Sequence, residues 1–116
     1  MKSAIFLIIL LFVGCTSQKS ELVDFAKCIT NTGARLYGAY WCPHCQDQKE
    51  MFGNAWEYIN YVECSTLSGV GQKEECNQAE IDSYPTWVFS NGQRVSGQLS
   101  FQQLSEYTGC VFNSSV

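Results

Sequence analysis

Residues 41–45 are Trp41-Cys42-Pro43-His44-Cys45, so that a Pro-His pair separates two cysteines. Proline is favoured in the first turn of a helix, because the N–H group that it lacks would have no partner there. We therefore expect a helix to begin at Pro43, with Cys42 at its N-terminal end and Cys45 shielded by the helix body. A thiolate at a helix N-terminus is stabilised by the helix dipole and by free backbone N–H groups, so the pKa of Cys42 is expected to be depressed. An exposed sulfur that exchanges and a shielded sulfur that resolves the mixed disulfide are what thiol–disulfide exchange requires.

His44 lies between the two cysteines, where it can donate a hydrogen bond to the Cys42 sulfur or place positive charge near it. Either effect stabilises the thiolate and the reduced form, which makes the disulfide a stronger oxidant. Two other interpretations are a zinc half-site and a static disulfide. Zinc needs a second ligand pair, and the sequence has one histidine and no second Cys-x-x-Cys. A static bridge over two residues would add little loop-entropy stabilisation. We therefore expect no metal site and no bound cofactor, since the cysteine pair is itself the redox group.

On both sides of this motif, apolar spacing and turn residues predict alternating helices and strands. Apolar residues recur at helical spacing before Gly33, whereas segment 35–41 is aromatic and apolar, as expected of a buried central strand. Asn91-Gly92 between two β-prone runs predicts a two-residue hairpin turn. The predicted elements are helix 22–29, strand 35–41, helix 43–59, strand 61–64, a partly helical segment 65–78, strands 86–90 and 93–96, and helix 101–107.

This order of elements predicts an α/β fold with a mixed central sheet and helices on both faces. A helix between two strands implies a right-handed parallel crossover, and the hairpin adds antiparallel strands at the sheet edge. In such a sandwich Pro85 can reach the helix start that carries Cys42. It is either a proline at a strand entry or a cis proline that faces the dithiol. Trp41 and Tyr84 are candidates to line a groove for substrate polypeptide, and Trp87 is a candidate for that groove or for the core.

The strand, the Trp-Cys-x-x-Cys motif, the helix, the Tyr-Pro-Thr-Trp segment at 84–87 and the hairpin together resemble the thioredoxin superfamily. Pro-His between the cysteines resembles the strongly oxidising DsbA-type proteins, whereas thioredoxin has Gly-Pro. A closer resemblance is to the thioredoxin-like domain fused to bacterial vitamin K epoxide reductase homologues. It rests on YGAYWCPHCQDQKEMFG at 37–53, YVEC at 61–64, YPTW at 84–87 and the Asn91-Gly92 turn, and it covers about Phe25 to Gly109.

The resemblance implies a domain that exchanges disulfides with exported proteins and is reoxidised by a quinone-linked membrane reductase. It implies that Cys42 is the exchanging cysteine, Cys45 its partner and Pro85 the cis proline beside them. It further implies an accessory disulfide between Cys64 and Cys76. The membrane domain of that family is not in this sequence, so a separate membrane protein is the expected partner.

Three positions depart from these relatives. Leu36 stands where thioredoxin has a buried aspartate that assists proton transfer, which argues against a thioredoxin-like cytosolic reductase. Cys28 and Cys110 lie outside the resemblance. They fall near the end of the first predicted helix and just after the last one, at the end of the fold away from the dithiol. The sequence leaves open whether these two cysteines form a disulfide or remain two buried thiols.

The first fifteen residues predict export. A positive charge at Lys2 precedes the apolar run 4–13, which is too short for a bilayer span of about 20 residues and is typical of a signal peptide. Segment 11–15, LFVGC, resembles the lipobox of bacterial lipoproteins, although Phe12 stands where Leu is usual. We therefore expect a lipid on Cys15; ordinary cleavage nearby, with Cys15 as a stray thiol, is the alternative. The expected organisation is a signal peptide over 1–14, a lipidated N-terminus and tether over 15–20, a thioredoxin-like domain over 21–112 and a tail over 113–116.

Composition restricts the functional class. The 116 residues fit one domain, and a net charge of −4 without a basic stripe excludes nucleic acid as the expected partner. Seven cysteines suit an oxidising compartment, and the odd number is explained if Cys15 carries a lipid. The sequence predicts a thiol–disulfide oxidoreductase anchored on the periplasmic or cell-envelope side, which introduces disulfides into substrate polypeptides through Cys42 and Cys45. The alternatives are a disulfide reductase or isomerase fed by a membrane electron donor, and a non-catalytic metal-binding lipoprotein.

Overall fold

The computed structural model describes residues 17–112, so the expected signal peptide, Cys15 and the tail 113–116 lie outside the described residues. The elements in chain order are α1 (Ser17–Asn31), β1 (Arg35–Gly38), α2 (Pro43–Phe52), a 3-10 helix (Gly53–Tyr58), β2 (Tyr61–Glu63), α3 (Glu74–Gln78), β3 (Thr86–Val88), β4 (Arg94–Ser96) and α4 (Phe101–Thr108). Because α1 begins at Ser17, the last part of the expected tether is helical. No helix within 17–112 is long and apolar enough to cross a membrane.

The four strands form one mixed sheet in the order β2-β1-β3-β4. β1 and β2 are parallel, with Gly38 opposite Glu63, and α2 makes the crossover between them. β3 is antiparallel to both β1 and β4. The predicted parallel crossover followed by an antiparallel hairpin is confirmed.

Two apolar layers cover the sheet. Leu36 and Trp87 are opposite each other in the register, and both are fully buried in the larger layer with residues of α1, α2 and α4. Tyr37 follows Leu36 and therefore points to the other face. There it packs in a smaller cluster that includes Cys76 of α3 and Ile81. Helices thus lie on both faces of the sheet, and the predicted fold class is confirmed.

Several predicted elements are shorter in the structure, and the two largest differences are at β1 and α2. The strand expected over 35–41 ends at Gly38, because the chain then turns and the N–H of Cys42 donates to the carbonyl of Ala39 at 3.0 Å. The helix expected over 43–59 ends at Phe52. Gly53 has φ 51° and ψ −125°, which are not α-helical angles, and the chain continues as the 3-10 helix.

The hairpin turn also differs from the prediction. A two-residue type I′ turn needs positive φ at both Asn91 and Gly92. Only Gly92 has it, at 84°. The N–H of Gly92 donates to the carbonyl of Phe89, and the N–H of Phe89 donates to the carbonyl of Gln93, both at 2.9 Å. The hairpin therefore has a three-residue loop, 90–92, with the glycine at its last position.

Candidate redox site

The Cys42-Pro43-His44-Cys45 segment forms the first turn of α2. Cys42 is the N-cap residue, with extended backbone angles of φ −81° and ψ 120°, and Pro43 occupies the first turn. The N–H of Cys45 donates to the Cys42 sulfur at 3.2 Å. Both cysteines are free thiols in the structure. The Cys42 sulfur therefore occupies the N-terminal end of the helix dipole, where a negative charge is stabilised.

The expected difference in exposure between the two cysteines is wrong. Cys42 and Cys45 are each 5% exposed. What differs is the set of groups that each sulfur meets. The Cys42 thiol lies 3.7 Å from the carbonyl oxygen of Tyr84, to which it donates. The Cys45 sulfur lies on the other side, against Gly38 of β1.

The environment of Cys45 disfavours its thiolate. Burial is the largest cause, and the hydrogen bond with Cys42 adds to it, so that the pKa of Cys45 rises to about 12. The negative charge of Glu63 is the smallest of the causes that together give this raised pKa. Cys45 therefore keeps its proton at neutral pH, as expected of a resolving cysteine.

The segment around Pro85 lies against the dithiol. The Tyr84–Pro85 peptide bond is cis, and Pro85 is fully buried. The rings of Tyr84 and Trp41 meet edge to face, with centroids 5.9 Å apart. The Trp41 ring remains 56% exposed, and its N–H donates to the hydroxyl of Ser65 at 3.0 Å. Trp41 and Tyr84 thus flank Cys42 on the open side of the site.

Two other aromatic and polar candidates take different places. Trp87 is fully buried and donates to the Gln48 side chain at 3.1 Å, so of its two candidate places it occupies the core. His44 is exposed, and its side chain forms no hydrogen bond to another residue in the described range. The expected hydrogen bond from His44 to the Cys42 sulfur is therefore not formed in this structure.

A pocket of about 340 Å³ opens beside the dithiol, on the Cys45 side. Its lining residues come from the end of β1, from α2, from the 3-10 helix and from β2, and they are Ala39, Tyr40, Cys45, Gln46, Lys49, Trp56, Tyr61 and Glu63. Sequence reasoning did not single out Tyr61 or Glu63. The signal was present, because alternate residues of a strand share a face and a parallel β1–β2 pair carries that face to the start of the motif.

The other four cysteines within 17–112 are paired. Cys28 of α1 is bonded to Cys110, which follows α4, and Cys64 is bonded to Cys76 of α3. The first disulfide was left open by the sequence, and the second was implied by the resemblance. No group of three or more metal-ligating side chains occurs in the described part of the chain.

Comparison with known proteins gives the family. The thioredoxin family profile matches residues 16–108. Thiol-disulfide oxidoreductase LTO1 of Arabidopsis thaliana is 39% identical over 98 residues, which are 81% of this chain and 26% of the relative. This chain thus spans about a quarter of the length of that relative. Protein disulfide-isomerase 5-1 of Arabidopsis thaliana is 29% identical over 111 residues, covering 78% of this chain and 70% of the relative. The dithiol at the start of α2 is the candidate redox site, and the chain that carries it belongs to the thioredoxin family.

Proposed function

We propose that this protein is an exported thiol–disulfide oxidoreductase that introduces disulfides into substrate polypeptides. One observation carries the proposal. Two free cysteines share the first turn of α2, and the sulfur of Cys42 lies 3.7 Å from the Tyr84 carbonyl on the side flanked by exposed Trp41. The printed names of both curated relatives describe disulfide chemistry, which supports the same reaction here.

The reaction begins from the Cys42–Cys45 disulfide. A substrate thiolate attacks the Cys42 sulfur, the bond between the two cysteines breaks, and Cys45 leaves with the electron pair and takes up a proton. A second substrate thiolate then attacks the substrate sulfur of the mixed disulfide and releases Cys42 as a thiolate. The substrate loses two electrons, and the dithiol holds them. The free thiols of the structure correspond to this reduced product.

Reoxidation is proposed to come from a separate quinone-linked membrane protein that resembles vitamin K epoxide reductase. The proposed location is the periplasmic or cell-envelope side, with a signal peptide over 1–14, a lipid on Cys15 as the anchor and the catalytic domain over 21–112. The basic start, the apolar run and the LFVGC segment support this organisation.

A second candidate is the reverse reaction, in which a membrane electron donor keeps the pair reduced and the protein reduces or isomerises disulfides. The similarity to a protein named as a disulfide isomerase favours this candidate. The redox state of Cys42 and Cys45 in cells separates the two directions, because a disulfide-forming protein must be mostly oxidised before it meets its substrate. A mostly reduced pair would favour the reductase or isomerase. Metal retention without thiol–disulfide exchange would instead favour the metal-binding lipoprotein.

The decisive experiment traps the mixed disulfide. Cys45→Ala removes the resolving thiol, so covalent complexes through Cys42 should accumulate and dissolve on reduction. Cys42→Ala, which leaves only Cys45 with its raised pKa, is the matched control and should trap little. Mass spectrometry of the trapped partners gives both the substrates and the membrane protein. If Cys45→Ala traps no more than Cys42→Ala, the proposed function is wrong.

A further inference from the structure

Cys45 must exchange a proton with its surroundings in every cycle, and this need rests on the proposed function. It leaves as a thiolate when the disulfide opens and must lose its proton when the disulfide re-forms. At 5% exposure it has little direct access to solvent. Leu36 of β1 is fully buried and carries no group that could accept a proton. Another group has to carry the proton.

Glu63, at the end of β2, is the acidic side chain that this site offers. One of its carboxylate oxygens accepts a hydrogen bond from the N–H of Tyr40, and the other accepts one from the Tyr61 hydroxyl, both at 2.7 Å. These two bonds hold the carboxylate in one orientation beside the turn that enters the motif. Its charge is felt at Cys45, where it contributes to the raised pKa.

The Tyr61 hydroxyl, which donates to Glu63, approaches the same residue of β1 as the Cys45 sulfur does. A Cβ atom built on Gly38 would lie 3.0 Å from the Cys45 sulfur and 3.2 Å from the Tyr61 hydroxyl oxygen. The two groups therefore converge on the one residue of β1 that has no side chain. The Tyr61 hydroxyl already points its proton at Glu63, so its oxygen is free to accept a proton from the side of Cys45.

The pocket completes the path to solvent. Cys45, Tyr61 and Glu63 all line the same open pocket of about 340 Å³. That space is large enough for water molecules, which can connect the sulfur to the hydroxyl and the carboxylate to bulk solvent. Burial and the bond to Glu63 raise the pKa of Tyr61, so the phenol passes a proton on without remaining ionised.

We infer that Glu63, acting through the hydroxyl of Tyr61 and pocket water, accepts the proton of Cys45 when the disulfide re-forms and returns it when the disulfide opens. In re-formation the Cys45 proton moves to the Glu63 carboxylate. The sulfur electron pair forms the bond to Cys42, the bond from Cys42 to the partner sulfur breaks, and the partner leaves as a thiolate. Opening follows the same path backwards. Glu63 does not touch the reacting sulfurs, so it is a positioning residue for the proton.

The test separates the two steps of oxidation by glutathione disulfide. Reduced protein is mixed with excess glutathione disulfide, quenched in acid and analysed by mass spectrometry. In the first step Cys42 attacks and a mixed disulfide forms; in the second, Cys45 displaces glutathione. Glu63→Gln should slow the second step by about a hundredfold and leave the first step within about twofold, as expected for loss of acid–base assistance. Glu50→Gln removes the same charge from an exposed position of α2 and should change neither step.

Two further variants test the hydroxyl of Tyr61 and the carboxylate of Glu63 separately. Tyr61→Phe retains the ring, which packs 5.1 Å from that of Trp56, and removes only the hydroxyl, so it should slow the same step. Glu63→Ala should be rescued by added formate, which is small enough to enter the pocket.

The outcomes are distinguishable. If Glu63 acted only by its charge, its removal would ease ionisation of Cys45 and speed the second step, which would overturn the inference. An unchanged second step in both Glu63→Gln and Tyr61→Phe, or equal slowing of both steps, would also overturn it. Failure of the wild-type protein to react with glutathione disulfide at all would refute the proposed function instead.

Discussion

Cys42 and Cys45 are separated by one helical turn, and that turn gives their sulfurs different roles. The Cys42 sulfur accepts a hydrogen bond from a backbone N–H of the helix. It also lies near the Tyr84 carbonyl, on the side of the exposed Trp41 ring. The Cys45 sulfur lies against β1, on the side of the pocket. The two residues are equally exposed, but their sulfurs have different surroundings, and those of Cys45 raise its pKa.

The raised pKa of Cys45 predicts how the reduced protein responds to alkali. Its folded pKa of about 12 exceeds the ordinary value of 9.0, so the folded state holds the proton more tightly than the unfolded chain does. The resulting stability is complete below about pH 9 and is lost as the pH rises towards about 12. Urea unfolding of the reduced protein should show this loss. Cys45→Ala has no such thiol and should lose less stability over the same pH range; equal losses would contradict the assignment.

The close packing around Gly38 predicts the effect of adding a side chain there. An added Cβ would come within 3.0 Å of both the Cys45 sulfur and the Tyr61 ring, so Gly38→Ala must displace one of them. We expect a loss of about 1–3 kcal/mol in the free energy of unfolding, as for other overpacked sites. The step in which Cys45 displaces glutathione should slow as well, whereas the attack by Cys42 should not. Unchanged stability would mean that the β1–β2 edge yields more easily than the contact distances imply.

Helix ends that depend on the backbone preference of one residue could be predicted from the sequence, whereas site residues that depend on strand register could not. Pro43 and Gly109 mark a helix start and a helix end through their own backbone preferences, so the sequence predicts them directly. Glu63 becomes part of the site only because β1 and β2 pair in one register, with Gly38 opposite Glu63. That register is a tertiary property. The prediction of a two-residue turn at Asn91-Gly92 was wrong because the same dipeptide occurs in hairpin loops of different length.

The break between α2 and the 3-10 helix gives a prediction about Gly53. Its φ of 51° with ψ −125° lies outside the regions that residues with a side chain adopt easily, although nothing lies within 4 Å of a built Cβ. Gly53→Asn should therefore cost about 1–3 kcal/mol of unfolding free energy through backbone strain alone. Gly109, with φ 76° and ψ 2°, is in the left-handed helical region that asparagine tolerates. Gly109→Asn is thus the matched control and should cost less. Equal costs at the two sites would contradict this explanation.

In the molecule as a whole, the three cysteine pairs within 17–112 differ in their location and surroundings. Cys64 and Cys76 are fully buried under the smaller face of the sheet, and Cys110 is 3% exposed beneath α4. Only the pair at the start of α2 lies beside an exposed aromatic ring and an open pocket. Cys28 is partly exposed, so burial alone does not distinguish the three pairs. The pair at the start of α2 is distinguished by its free thiols and by the exposed ring and the pocket beside it. The molecule uses the same bond type for a reaction at one end and for its own stability elsewhere.

The two stabilising disulfides should differ in strength because they close loops of different length. Cys28–Cys110 spans 82 residues and joins α1 to the segment after α4, whereas Cys64–Cys76 spans 12. Loop entropy predicts that Cys28→Ser/Cys110→Ser lowers the unfolding free energy by roughly 4–5 kcal/mol, and Cys64→Ser/Cys76→Ser by about 3 kcal/mol. Urea unfolding without reductant measures both. Neither pair touches the sulfur of Cys42, so its attack on glutathione disulfide should continue at the wild-type rate in both double variants. A larger loss from the shorter loop would mean that local packing around α3, rather than chain entropy, determines what these bonds contribute.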